Sequence, residues 1–185
     1  MSRFLLFFSA WVLAGSLAAV AGERPAKWAS PLETRRLGNA YQLDKKVFRS
    51  AQPSERGFAE AKQLGITDVL NLRDKHSDKE EAAGLGLNLH AVRTEANDIC
   101  LEEVVQALRV IHRAPGPVLV HCWHGSDRTG AVCAAYRVVF HNWSKEEAID
   151  ELVNGGFGYH KRYANIIRLI QSMDVPATKG KVLAP

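Results

Sequence analysis

Val118-Leu119-Val120-His121-Cys122-Trp123-His124-Gly125-Ser126-Asp127-Arg128-Thr129-Gly130 is the stretch from which the rest of the chain can be organised. Its first three residues are all apolar, as expected of a short strand buried on both faces of a parallel sheet. From Thr129 to Phe140 apolar residues fall on nearly all sides of a helical projection, which predicts a central helix. Between strand and helix lies a loop over 122–128. The six backbone amides from Trp123 to Arg128 can curl into a nest there, and the helix amino terminus adds its positive end. Gly125 permits backbone angles that residues with a Cβ resist. The loop is therefore an anion cradle of phosphate size, with Cys122 at its floor. The field that would hold an anion also favours a thiolate over a thiol. Arg128 is placed to grip two oxygens side by side, a fork that lysine cannot reproduce. The Thr129 hydroxyl can donate to the sulfur.

Working outward, Val47-Phe48-Arg49 predicts a short strand. Pro53 opens a helix through about Leu64 that Gly65 closes. Strands follow at 67–71 and 88–92, with a short helix expected at 79–85 between them. Leu101, Val104, Val105, Leu108 and Ile111 keep the spacing of one buried helical face, and Pro115-Gly116-Pro117 stops that helix. Ser144-x-x-Glu147 is a capping box for a helix ended by Gly155. A last helix spans 161–173, with Tyr163, Ile166, Ile167 and Ile170 inward. Strands alternating with helices imply an α/β fold, a mainly parallel central sheet of about four to five strands flanked by helices. Ligands of such sheets sit at the carboxyl ends of the strands, where the 122–128 loop lies.

The loop resembles the active-site motif of the cysteine-dependent protein tyrosine and dual-specificity phosphatases, H-C-x5-R-S/T with a glycine three residues after the cysteine. His121, Cys122, Gly125, Arg128 and Thr129 fill every fixed position. A bare C-x5-R would be a weak signal; the full motif between a buried strand and a buried helix is a strong one. Phe48-Arg49-Ser50-Ala51-Gln52-Pro53 is similar to the opening segment of compact dual-specificity members. Gly155-Gly156-Phe157-Gly158-Tyr159-His160 is similar to a loop of secreted bacterial members. The resemblance covers about residues 41–170 and implies a two-step reaction that needs no metal or other cofactor. In it Cys122 attacks phosphorus, Arg128 and the amides of Trp123, His124, Gly125, Ser126, Asp127 and Arg128 hold the phosphoryl oxygens, and an acid protonates the leaving oxygen. Asp98 is the expected acid, 24 residues before Cys122 and closer than in many members; its plain alternative is the N-cap of the helix from Leu101. Glu95 is the reserve. His121 reads as a partner of the loop backbone. Asp127 reads as ordering the loop, Cys133 as packing, and Arg73 as a surface arginine beside the site. Trp123 and His124 stand where other members that take highly phosphorylated substrates carry lysine.

The chain has 185 residues, 46% hydrophobic and 24% charged, with a formal net charge of +4, which describes one ordinary globular domain. Its basic residues are scattered and not clustered, which argues against a nucleic-acid partner. Arg3 is the sole charge before Glu23, Phe4 to Val20 is apolar, and Ala19-Val20-Ala21 gives an A-x-A exit. That pattern predicts a signal peptide over 1–21 cleaved after Ala21, with a retained anchor as the alternative. An irregular arm over 22–40, a catalytic domain over 41–173 and a flexible tail over 174–185 complete the expected organisation. The mature protein is expected in the periplasm or outside the cell, without a membrane span. Three cysteines, Cys100, Cys122 and Cys133, leave an odd thiol in an oxidising compartment. A reversible Cys100–Cys122 disulfide is one use for it.

The function so implied is hydrolysis of phosphotyrosine, with phosphoserine and phosphothreonine as further substrates, in proteins of the envelope. A phosphatase of small molecules such as inositol phosphates is the alternative; the absence of lysine from the loop and the presence of Asp127 weigh against strongly anionic substrates. A rhodanese-type sulfurtransferase is disfavoured by Arg128-Thr129 and the helix that follows. A non-catalytic phosphate-binding module is disfavoured by the intact nucleophile and arginine.

Overall fold

In the computed structural model, residues 24–185 are described; the predicted signal peptide and its cleavage point lie outside them. The strands are β1 (Ser30–Pro31), β2 (Tyr41–Gln42), β3 (Val47–Ser50), β4 (Asp68–Arg73), β5 (Asn88–Thr94) and β6 (Val118–His121). The helices are α1 (Glu55–Gln63), α2 (Leu101–Arg113), α3 (Asp127–Phe140), α4 (Lys145–Asn154), α5 (Ala164–Ser172) and α6 (Val175–Leu183). One six-stranded sheet runs in the order β1-β2-β3-β6-β4-β5. β6 lies at its centre, parallel to β3 on one side and β4 on the other, and β4 is parallel to β5. β1 and β2 extend the edge antiparallel. The fold is therefore the expected mixed α/β sheet, one or two strands wider than the alternation of elements implied.

β6 is buried at all four positions, which is why its sequence is nearly all apolar. Its side chains alternate between two cores. Val118 and Val120 join Val47, Leu70, Leu72 and the inner faces of α2 and α3. Leu119 joins Phe48, Ile66 and Ala61 of α1 on the opposite face. α3 is buried along almost its whole length, with the other helices of its layer packed around it. Because β6 and α3 are both held from several sides, the loop between them is fixed by the most deeply packed part of the molecule.

Four local expectations change. Residues 79–85 form turns and not a helix, and Gly84 and Gly86 at φ +73° and +64° carry the chain out of helical space. The last expected helix divides into a 3-10 turn at Lys161–Tyr163 and α5, with Ile166 and Ile170 buried and Tyr163 and Ile167 only partly so. The arm over 24–40 is docked: Arg24 donates to the carbonyls of Ala29 and Gly155, and the Glu60 carboxylate accepts the amides of Arg35, Arg36 and Leu37. The tail is the helix α6. Asp174 caps it by accepting from the Ala177 amide at 2.9 Å, Pro176 fits its first turn, and Thr178 and Val182 are buried against the domain. Arg109 of α2 donates to the Lys181 carbonyl at 2.7 Å. The buried stripe of α6 is only these two positions wide, too narrow to stand out by periodicity; the Asp-x-Pro start was its readable signal.

Candidate active site

The site is built by turning carbonyls outward. The Trp123 carbonyl accepts the Gln52 amide at 3.0 Å, and the His124 carbonyl accepts Asn39 Nδ2 at 2.8 Å. The Gly125 carbonyl accepts Arg49 Nη2 at 2.6 Å, and the Ser126 carbonyl accepts the Gly130 amide at 2.9 Å. In a trans peptide the C=O and the following N–H point in opposite directions. The amides of His124, Gly125 and Ser126 are thereby turned to the other side of the loop. None of the six amides from Trp123 to Arg128 donates to a protein acceptor among the described residues. Gly125 has φ +71°, and a Cβ there would lie 2.5 Å from the Ser50 carbonyl. The end of β3 is thus pressed against the loop so closely that glycine is required.

Cys122 is buried at the start of this loop. Arg128, in the first turn of α3, reaches the Thr94 carbonyl at the end of β5 at 3.2 Å and faces the Asp74 carboxylate at 3.8 Å. Thr129 is fully buried, but its Oγ1 has no hydrogen-bond partner among the described residues, so the expected bond to sulfur is not formed. The Asp127 carboxylate turns away from the cradle. It accepts the His160 amide at 2.9 Å and meets His160 Nδ1 at 2.8 Å, tying the loop to the 155–160 segment. Asp127 can therefore meet an anion only through its main chain. His121 is fully buried, 2.9 Å from Asp78. Burial pushes the Asp78 carboxyl up, but the bond and charge of His121 and the Gln52 amide outweigh it and hold its pKa below the ordinary value.

Asp98 is exposed on a turn, its amide bonded to the Glu95 carbonyl, and lines a cleft of about 390 Å³ with Asp74, Thr94 and Glu95. It is not the N-cap of α2. Cys100 holds that position, and Glu103 closes the box by accepting the Cys100 amide at 2.9 Å. Cys100 is exposed, Cys122 and Cys133 are buried, and all three are free thiols. Burial, chiefly, pushes the Cys133 thiol up to about 11, so it stays protonated and inert. Phe157 is packed and not a pocket wall, edge-on to Tyr41 at 4.7 Å.

Sequence reasoning missed several residues. Asn39 sits at φ +51°, in a segment read as irregular, and clasps both the His124 and Phe157 carbonyls. Asp74 follows β4 and is brought to Arg128 only by the sheet. Arg73 is more than a surface residue: its guanidinium lies 4.3 Å over the Trp123 ring and donates to Gln52 Oε1 at 3.0 Å. That pair borders a cavity of about 660 Å³ beside the loop, and Trp123 is 53% exposed there. Burial first, then the like charge of Arg128, lowers the Arg73 pKa. Among the described residues no group of His, Cys, Asp or Glu has the arrangement of a metal site.

A cysteine under a strand–loop–helix anion cradle, on a mixed sheet of this topology, defines the protein-tyrosine-phosphatase-like class. Residues 47–171 match the dual specificity phosphatase catalytic domain, and the chain belongs to that family of phosphatases. It is 31% identical to the dual specificity protein phosphatase TpbA of Pseudomonas aeruginosa over 170 residues, 90% of this chain and 77% of that one. The crystal structure of P. aeruginosa TpbA in complex with pTyr matches with a TM-score of 0.79 at 27% identity, covering 88% of this chain and 100% of the other. The core catalytic domain of the PP-IP phosphatase SIW14 from S. cerevisiae shares the fold, with a TM-score of 0.70 at 23% identity, over 80% of this chain and 92% of that one.

Proposed function

We propose that this phosphatase hydrolyses phosphotyrosyl esters of proteins through a cysteinyl-phosphate at Cys122. The observation that carries the reading is the ring of six amides without protein acceptors around Cys122, with the Arg128 fork at its rim. The Cys122 thiolate attacks phosphorus; an S–P bond forms as the P–O bond to the leaving oxygen breaks. The loop amides and Arg128 hold the three equatorial oxygens while charge redistributes. An acid gives its proton to the leaving tyrosyl oxygen. It then takes one from the water that cleaves the S–P bond, releasing phosphate and the thiolate. Asp98 is the proposed acid, and Asp74, already facing Arg128, is the second candidate from the same cleft. The unpartnered Thr129 hydroxyl is a free donor for the sulfur as it leaves phosphorus. The exposed Trp123 ring, stiffened by Arg73, offers an aromatic wall for a tyrosyl ester.

The amino-terminal pattern supports export, with cleavage after Ala21; amino-terminal sequencing of the secreted protein should begin at Gly22. Inositol phosphates are the second reading. The Asp127 carboxylate faces His160 and not the cradle, so the loop itself does not repel a polyanion. SIW14, a PP-IP phosphatase, shares the fold. The deciding experiment compares kcat/KM for a phosphotyrosine peptide, a phosphoserine peptide and an inositol phosphate, with EDTA present throughout. Preference for the tyrosyl peptide is expected; preference for the inositol phosphate reverses the assignment. Cys122→Ser should abolish turnover and still bind phosphate.

A further inference from the structure

Arg49 is a charge with no obvious reason to be where it is. Its side chain is among the most deeply buried in the molecule, at 2% exposure, and its guanidinium lies 3.7 Å over the Phe157 ring. Among the described residues it has no carboxylate of its own. Glu151 is within electrostatic range but is engaged by Arg137 through two bonds of 2.9 Å. Among the described residues Arg49 Nε has no hydrogen-bond partner. Burying an arginine without a counter-ion costs several kcal/mol, and a packed apolar residue would avoid that cost. The position therefore calls for an anion that is formed in the working enzyme.

Geometry points to the loop. Arg49 pairs with Val120 across β3 and β6, two residues before Cys122. Its Nη2 holds the Gly125 carbonyl at 2.6 Å and would lie 3.9 Å from a Cβ placed at Gly130, in the first turn of α3. It thus sits beneath the cradle, on the side opposite the approaching substrate, with Cys122 within electrostatic range. We propose that Arg49 is a positioning residue that acts through Cys122: its buried guanidinium is the counter-charge of the thiolate and the clamp that turns the Gly125 peptide so its partner amide faces phosphate. This rests on the reading of Cys122 as nucleophile.

The other charged groups around Cys122 do not replace it. Arg128 on α3 is occupied with Thr94 and Asp74 at the rim and engages substrate. Cys133 on α3 stays a neutral thiol at working pH. His121 on β6 is paired with Asp78, and Asp127 with His160. From the neighbouring strand, the Tyr41 hydroxyl donates to the Gly156 carbonyl at 3.4 Å.

The test uses the full chain and follows iodoacetamide alkylation of Cys122 against pH, located by mass spectrometry, together with turnover of p-nitrophenyl phosphate. Arg49→Met keeps the volume and removes the charge. It should raise the pH midpoint of alkylation by about one unit or more and move the acid limb of kcat/KM by the same amount. Arg49→Lys should keep the midpoint near that of the unmodified protein. A folded Arg49→Met protein with an unchanged midpoint overturns the proposal. Should Arg49→Met fail to fold, Arg49→Gln, which removes the charge and keeps a donor, decides: a midpoint raised by about a unit supports the charge effect, and an unchanged midpoint overturns it. If alkylating the unmodified protein at Cys122 leaves turnover intact, it is the nucleophile reading that fails.

Discussion

At the scale of single residues, Gly125 and the carboxylates of the Asp74–Asp98 cleft are the positions where small changes should speak loudest. A methyl group at Gly125 meets Ser50 at 2.5 Å in a backbone region that L side chains rarely adopt. Gly125→Ala should cost about 1–3 kcal/mol of backbone strain alone, and the loop amides should lose their common focus. Loss of vanadate binding, read by calorimetry, together with loss of turnover, in a protein still folded by circular dichroism, is the expected outcome. Asp98→Ala should slow hydrolysis of an alkyl phosphate by about a hundredfold or more, and p-nitrophenyl phosphate much less, because a good leaving group needs little proton assistance. The same pair of rates on Asp74→Ala separates the two candidates: the variant with the leaving-group-dependent loss held the proton. Cys122, Gly125, Arg128 and Thr129 were legible because a linear motif fixes them within eight residues. Asp74, Asn39 and Arg49 were not, since each reaches the loop from a distant segment and only the sheet order places it there.

At the scale of elements, the docked arm and α4 act as one unit. The Glu151 carboxylate receives Arg137 from α3 in a two-pronged bond and the Ala29 amide from the arm at 2.5 Å. Glu151→Ala strands a buried guanidinium and a buried amide and should cost about 3–5 kcal/mol, read as a lower urea midpoint. Arg137→Met in the same background should recover part of it, since removing the second charge ends the stranding. For α6, Val182→Asp places a carboxylate in a fully buried position against the domain. It should release the terminal helix, detectable as faster amide exchange over 175–183, and leave turnover at the loop nearly unchanged. α2 was readable from the spacing of its buried face and α4 from its capping box, whereas the N-cap of α2 is Cys100 and not Asp98. Residues 79–85 and α6 were not: the first has helix-forming residues interrupted by two left-handed glycines, the second has a stripe too narrow to register.

At the scale of the whole molecule, stability is linked to acid through carboxylates on several elements. Asp44, Asp68 and Asp78 each carry a burial penalty that raises the pKa, outweighed by hydrogen bonds from Val47, His90 and His121 respectively among others, so each ends below its ordinary value. A carboxyl with a lower pKa folded than unfolded stabilises the fold above the unfolded value, near 3.9, and that stability is lost as pH falls through the folded value. The urea midpoint should therefore be level from about pH 7 to 5 and fall below that. Asp78→Asn should start lower and decline less steeply. A midpoint that rises on acidification would contradict these assignments. The α/β class and the burial of β6 followed from alternating elements and one apolar run, but the two antiparallel strands β1 and β2 did not. They are two residues long each, too short to show a pattern of their own; β1 pairs with β2, and β2 turns back on β3.

The bond from Ala29 to Glu151 spans 122 residues of chain, and that from Arg24 to Gly155 spans 131. The start of the docked arm, Arg24 to Ala29, is thus tied to α4 and the turn that follows it. In a nascent chain these two bonds can close only after α4 has followed, so this part of the native topology is completed late. Partial products should stay unlatched and open to proteolysis at that end, and the latch becomes a marker of a fully delivered polypeptide.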